Sequence, residues 1–315
     1  MKQFAVPFFI WCLGWIPCSA LAQIDVRMTS AQEQFLPAEA LEVAVKISNF
    51  TGAPLQLGTH SRWIDFTVER VDGGVVNKLS EPADVGVFSL QQATSGTIRF
   101  DLAPQFALQQ SGSYRITATV TPIAGGNTFV SPPLTVEIVN GVRLNEDRTF
   151  GYAKPDGSIV ARKFILQQVN YLKHLRLYLR VTDGAESQTL KVLQLGPLVS
   201  FDRPQWVMDR QSHLHVLHQT GPDDLRYHEI DPEGSIVARQ VWRISGRRPE
   251  LRVNESGEIA VVGGMRRPDR NDIPAPVAAP AGATPTEPVK PSVKAPEVEA
   301  KPPTKKNASP TAKGR

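Results

Sequence analysis

From residue 23 to about residue 140 the chain alternates apolar and polar positions with a period of two, interrupted every eight to twelve residues by turn formers. Segments 41–47 (LEVAVKI), 63–68 (WIDFTV), 97–102 (TIRFDL), 114–120 (YRITATV) and 134–139 (LTVEIV) all follow it. Successive side chains of a strand point to opposite faces, so this alternation predicts strands with one buried and one wet face. Gly52 to Pro54, Asp72 to Gly74, Gly125 with Gly126, and Pro132 with Pro133 separate them, and no stretch sustains helical spacing. A row of short alternating strands predicts an antiparallel β-sandwich over residues 23–140.

After a linker at 141–147 the alternation continues and begins to repeat. The string GSIVAR occurs at 157–162 and again at 234–239, each time with an acidic residue, Asp156 or Glu233, before the glycine. Three glycine-led strands start at Gly157, Gly196 and Gly234, spaced 39 and 38 residues apart. A second register matches 203–216 to 248–261: Arg-Pro, a short apolar strand, an Asp or Asn turn, a small residue, then another strand. A period near 40 built from short strands is the signature of propeller blades. The reading over 148–265 is about three blade-like units. Each of the three glycines is expected to turn the last hairpin of a blade, where positive φ is open to glycine at little cost.

Two stretches resemble known modules. Segment 108–118 (LQQSGSYRITA), with Gly112 and Tyr114 leading an alternating strand, resembles the tyrosine corner of immunoglobulin-like and fibronectin-III-like domains of exported bacterial proteins. The resemblance implies a fold, with Tyr114 and Trp63 as core residues. Segment 208–218 (MDRQSHLHVLH), followed by Leu225 and Tyr227, resembles repeats of sialidase-like β-propellers. The aspartate box of that family is missing, so its catalysis is not carried over. The predicted fold class is all-β: an immunoglobulin-like sandwich followed by an incomplete propeller-like region. Three blades fall short of the four to eight of closed rings. Three arrangements stay open: an open meander packed on the sandwich, the first choice; two chains pooling their blades as a homo-oligomer; or an unrelated small β-domain.

The ends of the chain differ in composition. Residues 1–22 hold Lys2, an apolar run and an Ala20–Ala22 cleavage box, the pattern of a secretory signal peptide. Both cysteines, Cys12 and Cys18, lie in it, so a mature chain would carry no thiol. Residues 266–315 are expected to be a disordered tail. From 274 on, the tail has ten prolines, no aromatic residue, and seven basic residues against three acidic ones. That net +4 equals the net charge of the whole chain, so the folded part is near neutral. The basic tail is expected either to rest on anionic envelope polymers or lipid surfaces or to act as a spacer. Nucleic acid is not expected, because no aromatic side chains interleave with the basic ones.

No set for a particular reaction is assembled in the sequence. HExxH, GxSxG and GxxxxGK do not occur, and no cofactor or catalytic residue is assigned. His213, His215 and His228 form a weak candidate metal set, outweighed by a structural reading; on a strand, His213 and His215 share a face and His218 takes the other. Asp202, Asp209, Asp223, Asp224 and Asp231 sit in turn contexts. The expected function is non-catalytic binding or scaffolding in the periplasm or at the cell surface, with a protein or glycan of the envelope as partner. The alternative is a propeller-type carbohydrate-active enzyme or lectin.

Overall fold

A computed structural model describes residues 24–144, 149–154, 156–171 and 174–273. The segment 1–22, read above as a signal peptide, and the expected tail from 274 onward lie outside the described residues. Among the described residues the chain is all-β. Its strands are β1 (Ile24–Ser30), β2 (Gln34–Phe35), β3 (Glu42–Asn49), β4 (Leu55–Leu57), β5 (Ile64–Arg70), β6 (Phe88–Leu90), β7 (Ser95–Asp101), β8 (Gly112–Val120), β9 (Phe129–Val130) and β10 (Leu134–Ile138). There follow β11 (Val142–Arg143), β12 (Thr149–Ala153), β13 (Ile159–Tyr171), β14 (His174–Asp183), β15 (Thr189–Leu198) and β16 (Gln205–Met208). The last are β17 (Leu214–Gln219), β18 (Asp224–Ile230), β19 (Ile236–Arg243), β20 (Glu250–Val253), β21 (Ile259–Val262) and β22 (Met265–Arg267).

Four small sheets carry the structure, arranged like the blades of a four-bladed propeller. The first runs β1-β3-β7 and the second β2-β10-β8-β5, with β9 on β8. The alternation read from the sequence places Val43, Val45 and Ile47 of β3 and Ile116, Ala118 and Val120 of β8 in one fully buried core between these two sheets. Trp63 belongs to that core, edge-on to Phe88 with ring centroids 5.6 Å apart. The third sheet is the meander β12-β13-β14-β15 with β11 added beside β13, and the fourth is β16-β17-β18-β19 with β22 at its edge. Phe164, Leu166, Leu179 and Val181 of the third meet Leu214, Val216 and Ile230 of the fourth. Leu36 and Val139 of the first half pack on Val169, Tyr178 and Val192. The outer face of the fourth sheet, Leu217, Leu225 and Tyr227, packs on Leu251 and Val261 of the β20–β21 hairpin.

The duplicated GSIVAR is explained by a turn, not by a blade. Its first copy opens β13, the second strand of the third meander; its second opens β19, the last strand of the fourth. The two copies therefore hold different places in their sheets. What recurs is a five-residue turn found at 154–158, 209–213, 231–235 and 254–258. In each, the first residue's N–H donates to the fifth carbonyl and the fourth N–H donates to the first carbonyl, at 2.8–3.2 Å. The fourth position is left-handed, at Gly157 (φ 83°), Ser212 (66°), Gly234 (80°) and Gly257 (84°). This is a type I turn closed by a glycine bulge.

Gly196 departs from the expectation. It lies inside β15 opposite Leu177, where the register with β14 shifts, and its φ of 130° belongs to a bulge rather than a hairpin end. Two segments read as lying outside the sheets also join them. Val142 and Arg143 of the expected linker form β11 on β13. Arg266 and Arg267, at the start of the expected tail, pair with Trp242 and Val241, and Ile273 bridges Arg239. Open backbone donors at a sheet edge recruit neighbouring chain that has no hydrophobic pattern of its own.

Candidate functional site

The antiparallel pairing of β17 with β18 sets His215 opposite Glu229, Val216 opposite His228 and His218 opposite Arg226. Alternation then sorts these side chains onto two faces. His213, His215, Tyr227 and Glu229 look toward the β20–β21 hairpin, while His218, Arg226 and His228 look toward the third sheet.

On the first face a hydrogen-bonded network runs through five side chains. Asp209, in the turn before β17, accepts from the His213 backbone N–H at 2.8 Å through Oδ1, and its Oδ2 lies 3.1 Å from His215 Nε2. His215 Nδ1 lies 2.7 Å from the Tyr227 hydroxyl, and His213 Nδ1 lies 2.9 Å from Glu229 Oε1. A carboxylate can only accept, so Nε2 of His215 donates to Asp209. Burial and the charges of Glu229 and Asp209 push the Tyr227 phenol well above its usual range, which keeps that hydroxyl a donor. Asp209, His215 and Glu229 each offer one ligand atom, all within 4.8 Å of one another, and among the described residues this is the set that could hold a divalent ion.

The set His213, His215 and His228 does not assemble, because His228 sits one position from Glu229 on the strand and so on the opposite face. There its ring stacks on that of His218, with centroids 5.7 Å apart and planes 12° from parallel. Both rings are buried, at 0% and 1% exposure. Burial, reinforced by the Arg226 cation, pulls His218 down to about 3, and burial with His218, Arg239 and Arg226 takes His228 well below its ordinary value. Both rings are thus neutral at pH 7. The alternation rule separates His213 and His215 from His218; it carries no information about Tyr227 and Glu229, which reach the site through strand pairing. Asp209 keeps the turn role read from the sequence and adds a contact to His215.

A second feature lies in the first half. The 17-residue connection 71–87 between β5 and β6 is tied to the core by backbone bonds from Leu79 to Gln105 (2.7 Å) and from Ala107 to Asn77 (3.0 Å). With residues 58–64 it encloses a groove of about 510 Å³ lined by His60, Arg62, Trp63, Glu81 and Asp84. Gly58 has to be glycine here, because a Cβ on it would lie 2.0 Å from the Gly86 carbonyl oxygen. Val75, Leu79 and Val87 of this connection are 88%, 64% and 66% exposed.

Tyr114 is 1% exposed and its hydroxyl donates to the Gln110 carbonyl at 2.6 Å.

No protein-family model and no curated protein sequence matches this chain. Among solved structures, the sporulation control protein Spo0M of Bacillus subtilis is similar at 13% identity over 53% of this chain and 82% of that one, with a TM-score of 0.25. The periplasmic chaperone SfaE is similar at 13% identity over 68% of this chain and 97% of that one, with a TM-score of 0.22.

Proposed function

We propose that the chain is a non-catalytic, exported binding protein of the cell envelope, whose recognition surface is the 71–87 connection and the groove beside it. The observation that carries this reading is the exposure of Val75, Leu79 and Val87 on a connection pinned to the core. Long ordered loops without their own secondary structure are commonly functional, and clustered exposed apolar side chains mark contact surfaces. The exposed valine and leucine side chains of the connection favour a protein partner. In this reading the first two sheets form an immunoglobulin-like sandwich, supported by the bond from Tyr114 back to Gln110, and the third and fourth are blades of an incomplete propeller.

Photo-crosslinkers placed at residues 79 and 87, with controls at Lys46 and Arg99 on the first sheet, test it in the native envelope fraction. One discrete protein adduct from 79 and 87, abolished by Val75→Asp with Leu79→Asp, is expected. Equal labelling from the controls, or none, overturns the reading. Export is tested separately, by finding Gln23 as the mature N-terminus in the periplasmic or secreted fraction; an intact Met1 there would contradict it. The carbohydrate-active alternative rests on Glu81 and Asp84 in the groove. It would replace the binding reading if chromogenic glycosides were hydrolysed and Glu81→Gln stopped the reaction.

A further inference from the structure

We infer that the basic cluster between the third and fourth sheets, two buried histidines beside two half-buried arginines, is a binding site for a small tetrahedral oxyanion of the phosphate or sulfate class. Four side chains of one sheet face converge there. His218 of β17 is the cross-strand partner of Arg226 on β18, and His228 of β18 is the partner of Arg239 on β19. Cross-strand neighbours on a buried face ordinarily pair unlike charges. Here two guanidinium groups and two imidazoles meet with no acid among them.

Five polar atoms of this group lack protein partners. Both ring nitrogens of His218, Nδ1 of His228, and Nε of Arg226 and Arg239 are buried without a hydrogen bond among the described residues. The nearby carboxylates of these strands are committed elsewhere: Asp224 to Arg243 and Arg267, and Glu233, in the β18–β19 turn, to Arg162. On the facing sheet Leu177, Leu195 and Leu198 are apolar, and Gly196 makes the close approach. A Cβ at Gly196 would lie 3.0 Å from Arg226 Nη1 and 3.9 Å from His218 Nε2, so even a methyl group there would enter the cluster.

Two classes of ligand could satisfy buried donors of this kind. Water can bond the imidazoles, but it leaves two facing cations uncompensated. An oxyanion does both, because a guanidinium fork matches its oxygens and a neutral imidazole adds an N–H without adding repulsion. The burial of His218 and His228 limits the bound group to a small one.

The test is calorimetric titration and thermal unfolding of the full chain at pH 7.5, with inorganic phosphate and sulfate as probes and sodium chloride of matched ionic strength as the reference. A saturable one-to-one response with a raised Tm is expected, weakened about tenfold or more by Arg226→Gln or Arg239→Gln, as loss of a charged hydrogen bond implies. In chloride alone the same substitutions should raise Tm, since each removes one of two facing unpaired cations. A scaffold role would instead lower Tm in both buffers and leave affinity unchanged. Should either glutamine variant fail to fold, Arg226→Lys keeps the charge and loses the fork, and its affinity should still fall. A wild-type response to phosphate and sulfate no larger than to chloride overturns the inference, as does undiminished affinity in the folded variants.

Discussion

Acidification should destabilise the chain through His218, and the size of the effect follows from the ring's burial. The ring is fully enclosed against His228, faces the Arg226 and Arg239 side, and is held down to about 3. In the unfolded chain it would titrate at its ordinary value of 6.5. Between those limits the unfolded state takes up a proton that the folded state refuses. The stabilisation is therefore complete above pH 6.5 and is lost as pH falls toward 3. At pH 4.5, two units below the unfolded value, the loss from this ring is about 3 kcal/mol. That is a large share of the roughly 5–15 kcal/mol that holds a domain folded. His228 adds a loss of the same sign. Urea unfolding between pH 7.5 and 4.5, in buffers free of phosphate and sulfate, measures the total, with Trp206 and Trp242 reporting on the fourth sheet. His218→Phe keeps a planar ring against His228 and cannot titrate, so its profile isolates this one contribution. The gap between wild type and variant should change by about 3 kcal/mol across the range. Parallel profiles would refute the reasoning, since they would mean that His218 accepts a proton as easily folded as unfolded.

The tyrosine at the start of β8 and the shared turn give two further outcomes. Tyr114→Phe removes the bond to the Gln110 carbonyl while keeping the buried ring, and should cost about 1 kcal/mol in denaturant unfolding. A loss near zero would mean that water replaces the hydroxyl. Ser212 is the one non-glycine at the left-handed position of the four matching turns, so Ser212→Gly should stabilise by about 0.5–1 kcal/mol. The reciprocal Gly234→Ala should destabilise by at least that much, because its Cβ would also press on Lys191 and Val181 at 3.1–3.2 Å. Equal Tm values for all three chains would dispose of the shared-turn argument.

Much of the local structure is legible without coordinates. Alternation of apolar and polar residues places Val43, Val45, Ile116 and Ala118 in a core, and two Asp or Glu-Gly-Ser strings mark hairpins at Gly157 and Gly234. Gly196 misleads because a glycine serves equally at a turn and at a bulge, and only the register with β14 separates the two. The equivalence of the repeats fails for a related reason: GSIVAR encodes a turn, and one turn can join the first two strands of one meander and the last two of another.

The side-chain clusters show where local information stops. Period two decides that His215 and His218 face opposite ways, because a strand's geometry is a property of its own backbone. It does not decide that Glu229 and Tyr227 lie beside His213 and His215, or that Arg226 and Arg239 lie beside His218 and His228. Those neighbours come from the pairing of β17, β18 and β19, which the alternation inside any one strand does not encode. Strand content, face and turn chemistry were thus settled residue by residue along the sequence. Partners and buried charge were settled only when the sheets met, since desolvation and hydrogen bonding depend on what each face is pressed against.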